Sequence, residues 1–176
     1  ITASFAVGMG ASLVDSTFNN FLNDTFTITG FQRSFLEFPR ELPGVIVLFA
    51  SAALWFLGSR RLGAFAMLLA SLGIFLIGFS SSSFGLMVIF LFIYSSGNHL
   101  FMPVATTVGM ELASAGKTGR RLGQLNAIRN VAAIAGSFLV FIGFKYLGFT
   151  FQHSFTIASI IFASAAVLMF LMKPEK

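Results

Sequence analysis

Cysteine is absent from the 176 residues, which excludes a disulfide framework and any cysteine-ligated metal. Charge is scarce as well: Asp, Glu, Lys and Arg make up 10% of the chain, and only 6 residues are acidic. A soluble domain carries roughly 25% charged residues, so too few ionic groups are present to solvate an ordinary surface. The net charge of +5 does not mark a nucleic-acid partner, because the basic residues fall in short clusters between apolar runs. No cleavable leader is visible. Ile1 already lies in an apolar run without an initiator Met, which is what a processed or partial N-terminus would show.

What the chain has in excess is hydrocarbon. Apolar residues reach 56%, Phe alone occurs 24 times, and the mean hydropathy is +0.89. A helix needs about 20 mainly apolar residues to cross a bilayer. Six candidate spans meet that length, at 1–22, 38–57, 62–79, 84–112, 126–146 and 154–172. The expected fold is therefore a single all-α, six-span bundle over 1–176, embedded in lipid. Arg60, Arg61, Lys117, Arg120, Arg121, Lys173 and Lys176 fall on one side, and Arg33 and Lys145 on the other. The positive-inside rule then puts both termini in the cytoplasm.

The second span poses a problem. Its uncharged run, 45–57, covers only about 20 Å at 1.5 Å per residue, so a complete span must reach back to Phe38. Arg40, Glu41, Pro43 and Gly44 are drawn inside near the outer end, with Glu37 at the mouth. Two readings compete: the charges snorkel to the headgroups, or they line a protein interior or water-filled path. Pro39 and Pro43 each remove a backbone donor, a break tolerated only where protein or water satisfies the freed carbonyls.

Polar atoms recur on other spans. In the first, Ser12, Asp15, Asn19 and Asn23 share one helix face by their three- and four-residue spacing, with Ser16, Asn20 and Asp24 alongside. The fourth carries Tyr94, Ser95, Ser96, Asn98 and His99, then Pro103, Thr106 and Thr107. The fifth draws Asn126, Arg129 and Asn130 in near its cytoplasmic end, while the third and sixth carry neither charge nor amide. Spans one, two, four and five are polar, three and six are not. Such a three-plus-three pattern places a binding site between two repeats.

This organisation, with FNNFLNDTF in span one and GNHLFMPVATTVGMELASAGKTGRRLGQLNA across spans four and five, resembles the amino-terminal half of a major facilitator superfamily transporter over essentially the whole chain. Gly97, Pro103, Gly109 and the basic GRRLGQ stretch match that family's punctuation, and FLEFPRELPG resembles a segment of one group of its bacterial members. In the loop after span two, FLGSRRLGA aligns only Arg61 and Gly63 with the family's Gly-x-x-x-Asp-Arg-x-Gly-Arg, with Phe56 at the first Gly and Arg60 at the Asp. AAIAGSFLV lacks the proline of the antiporter motif.

The resemblance implies a 3+3 inverted repeat, a multi-pass place in a bacterial inner membrane, and alternating-access transport of a small solute beside a second six-helix half. Asp15, Asn19, Asn98 and His99 are the expected substrate or proton contacts, since a carboxylate and an imidazole at membrane depth suit proton exchange. Glu37, Arg40 and Glu41 outside, and Glu111 with Arg129 inside, are expected as gate ion pairs; static neutralisation of buried charge is the alternative. No cofactor or metal is expected.

Two enzymatic readings fail. Gly116-Lys117-Thr118 lacks the glycine a P-loop needs, because Glu111 stands there and no strand precedes it. YSSG at 94–97 echoes an intramembrane serine protease, but Ser96 lies deep in span four while His153 precedes span six at the outer surface. A nucleophile and its base must come within hydrogen-bond reach. The other class left open is a non-transporting six-span receptor or assembly subunit.

Overall fold

The computed structural model describes residues 1–172, apart from the side chains of Leu48 and Trp55; Lys173 and Lys176, counted above toward the cytoplasmic side, lie outside the described residues. Six α-helices succeed one another: α1 (Thr2–Phe26), α2 (Gly30–Ala53), α3 (Gly58–Ser80), α4 (Phe84–Glu111), α5 (Thr118–Tyr146) and α6 (Phe151–Leu171), with a 3-10 turn at Trp55–Leu57. Helices α3, α4, α5 and α6 are each long and apolar enough to cross a membrane, which marks a multi-pass membrane protein. Helices α1 and α2 are as long, at 25 and 24 residues. Their apolar content is diluted by Asp15, Asn19, Asn20, Asn23 and Asp24 in one and by Arg33, Glu37, Arg40 and Glu41 in the other.

Local chemistry sets the helix ends. Thr29 and Gln32 form a capping box that starts α2, each satisfying the other's backbone N–H. Thr150 and His153 do the same for α6, and the Ser83 hydroxyl accepts from Leu86 N–H at the start of α4. Hydropathy alone places the second span at 38–57, whereas the helix begins eight residues earlier, at Gly30. The capping box supplies a start that an apolar count does not register. Arg40 consequently lies near the middle of α2 rather than near its outer end. The helix also runs unbroken through Pro39 and Pro43, both buried. The Ser95 hydroxyl of α4 donates to the Arg40 carbonyl, tying α2 to α4 beside the second proline.

Helices α3 and α6 pack along one another. α3 packs on α4 and α6, α6 also on α1, while α5 rests on α1 and α2 on α4. Phe155 and Phe162 of α6 and Met67 and Ile74 of α3 are fully buried there. Within this core, Ser71 Oγ donates to the Ser159 carbonyl at 2.8 Å and Ser159 Oγ returns a bond to the Ser71 carbonyl at 3.1 Å. The clasp is reciprocal. Exchanging each helix for the one three later in the chain also maps these close pairs onto one another: α1–α5 becomes α4–α2, α1–α6 becomes α4–α3, and α3–α6 returns to itself. The lighter α4–α5 contact has no counterpart of similar extent. Helices α2 and α5 reach the α3–α6 pair chiefly through α4 and α1, so they gather on the α1–α4 side of it.

Candidate functional site

On that side the polar residues converge. Asp15 of α1 and Glu37 of α2 both approach Arg40, with Oδ1 3.7 Å from Nη2 and Oε1 3.8 Å from Nη1. One turn along, Glu41 Oε2 lies 3.6 Å from His99 Nε2 on α4. Tyr94, buried, lies one turn before Asn98 on α4. The residues expected to form a pathway and those expected to form an outer gate are therefore one cluster: Asp15 meets Arg40, and His99 meets Glu41. The ion contacts exceed hydrogen-bond length, and Asp15, Glu37 and Glu41 remain 61–65% exposed. These are loose pairs facing open space. Asn19 is exposed on the same α1 face and makes no side-chain hydrogen bond among the described residues.

The inner pair forms differently from expectation. Glu111 closes α4, where its Oε1 accepts from Ser59 Oγ at 2.7 Å and its Oε2 lies 3.9 Å from Arg60 Nη2. Arg129 is not its partner. Helix α5 begins at Thr118, so Arg129 stands about 16 Å along it at 1.5 Å per residue, well away from the last turn of α4. Arg60, counted from sequence only among the cytoplasmic-side basic residues and at the Asp position of the loop motif, takes Glu111 instead. It is mostly buried, and two of its nitrogens lack a hydrogen-bond partner.

Arg129 faces a concavity of about 520 Å³ between α1 and α5, lined also by Ser12, Asp15, Ser16, Asn126, Asn130 and Ser137. Ser12 Oγ bonds the Ala133 carbonyl at 2.6 Å and Ser137 Oγ at 2.8 Å, fixing α1 against α5. An added Cβ on Gly8 would meet the Arg129 carbonyl at 2.5 Å, so only glycine allows this approach.

These contacts repeat on the opposite wall. Ser95 touches the Arg40 carbonyl as Gly8 touches that of Arg129, and the His99 ring lies over Gly44 as Ser12 lies against Ala133. The register that equates Arg40 with Arg129 also equates Leu36 with Leu125, Glu37 with Asn126 and Glu41 with Asn130. In that register LEFPRE and LNAIRN coincide at Leu and Arg. Their shared Leu-x-x-x-Arg core is too short to mark an internal repeat by sequence alone. Two Glu-to-Asn changes and the prolines of only one copy obscure it.

The residues of the protease reading are apart from one another. Ser96 Oγ donates to the Phe92 carbonyl of its own helix at 2.7 Å, and His153 caps the start of α6. Among the described residues no cluster of His, Asp or Glu is arranged to hold a metal. No family model matches the chain, and no curated protein matches it.

Proposed function

We propose that the chain is the amino-terminal six-span half of a secondary transporter of the major facilitator type, moving a small solute by alternating access, with both termini in the cytoplasm of a bacterial cell. The observation that carries this reading is the repeat: α1–α3 and α4–α6 make corresponding helix contacts, and Arg40 and Arg129 occupy corresponding places against Ser95 and Gly8. Inverted three-helix repeats with polar interruptions in matching spans are the build of such transporters, with the solute bound between repeats. The loose Asp15–Arg40–Glu37 and Glu41–His99 contacts support a proton-linked cycle, since half-exposed pairs of this length part at low cost. A second six-span half would cover the open polar side, where unsatisfied groups in hydrocarbon cost several kcal/mol each.

Reconstitution into liposomes tests the proposal. The complete product of the gene is expected to carry solute flux, and the 176-residue chain alone none. Comparable flux through the isolated monomeric chain overturns the half-transporter reading. Absence of flux through the complete product across a broad solute panel favours the receptor or assembly subunit.

A further inference from the structure

The concavity between α1 and α5 carries opposite charges that do not meet. Asp15 and Arg129 both line it, yet among the described residues they form no ion pair with one another. Asp15 shares its one cation, Arg40, with Glu37, so its negative charge is only partly offset. Arg129 has no ion pair and no side-chain hydrogen bond among the described residues. The repeat sharpens this contrast: the positions that hold Glu37 and Glu41 beside Arg40 hold Asn126 and Asn130 beside Arg129. Amides donate hydrogen bonds but cannot neutralise a guanidinium.

A cation left unpaired at membrane depth marks a functional contact by default. A guanidinium fork matches a carboxylate in two parallel bonds, and flanking carboxamides add donors to the same oxygens. A simple anion on Arg129 would also face Asp15 and be repelled. A simple cation on Asp15 would face Arg129. A molecule carrying both charges satisfies each wall, and Ser16 and Ser137, which share a 3.2 Å bond, also line the concavity.

We propose that this concavity binds a small zwitterion, with its carboxylate on Arg129, Asn126 and Asn130 and its ammonium on Asp15. The inference rests on the transport reading for the site's purpose, but binding is separable from movement.

The test is thermal unfolding of the purified complete protein with a panel of common α-amino acids and betaines. Each is run beside the amine and the carboxylic acid that share its skeleton. Ligand binding raises the melting temperature in proportion to ln(1 + [L]/Kd). At least one zwitterion is expected to raise it, with neither single-charge analogue doing so at equal concentration. Arg129→Gln and Asp15→Asn, each checked by its own ligand-free melt, should both remove the shift. The proposal is overturned if no zwitterion shifts the melt, if the acid or amine analogue matches it, or if the folded variants keep the shift. A zwitterion that binds but is not carried across liposomes would sink the transport reading and leave the site. Flux of another solute with no zwitterion bound would do the reverse.

Discussion

Replacing Arg40 with alanine is expected to lower solute flux through the complete protein about 10-fold while leaving folded protein recoverable. Arg40 is the one cation between Asp15 and Glu37, and its loss leaves two carboxylates facing each other across α1 and α2. Each of the two pairs lost is half-exposed and worth up to about 1 kcal/mol, and about 1.4 kcal/mol of added barrier corresponds to roughly 10-fold in rate. The double variant Arg40→Gln/Asp15→Asn removes the stranded charge on α1 and should recover part of the loss. Initial rates in proteoliposomes decide the matter. Wild-type flux in Arg40→Ala would make the cluster a static neutralising pair.

The largest effect on folding is expected at Gly97. Here α3 and α4 approach backbone to backbone: an added Cβ on Gly97 would run into the Ala66 carbonyl and the Ala70 nitrogen, and one on Gly73 into the backbone of Tyr94. Small residues permit such approach in membranes, where close packing and dispersion hold helices together. Gly97→Val must push the helices apart, because backbone cannot swing aside as a side chain can. Overpacking of this kind costs about 1–3 kcal/mol or more, and the backbone collision puts it at the top of that range. The control is Gly85→Ala, where nothing lies within 4 Å of the new Cβ. Melting in detergent should separate the two, and equal melts would contradict the α3–α4 crossing.

Much of the architecture was readable from hydropathy and polar spacing, because both report directly on burial. The third and sixth spans, which lack charge and amide, correspond to α3 and α6, which pack against one another. The stripe containing Asp15 lies toward α2 and α5 rather than α6. Depth was the weak point. An apolar count begins α2 at Phe38, but Thr29 and Gln32 begin it at Gly30, and this shifts Arg40 from the mouth to the middle. The same bias draws Arg129 toward the end of α4 and pairs it with Glu111, although α5 already starts at Thr118. Partner choice across helices depends on such axial shifts, which residue type alone does not encode. The equivalence of Arg40 and Arg129 needed the three-dimensional register to become visible.

Cysteine accessibility tests the central claim most directly, and the absence of native cysteine makes the chain ready for it. Single cysteines at Asn19, Asn130 and Glu41 lie on the polar side; Leu72 of α3 and Val167 of α6 are exposed apolar positions on the helices behind it. In the complete protein held in membranes, a water-soluble, membrane-impermeant maleimide is expected to label the first set and spare the second. Equal protection of both sets, or labelling confined to Leu72 and Val167, would contradict a water-filled cleft bounded by α1, α2, α4 and α5.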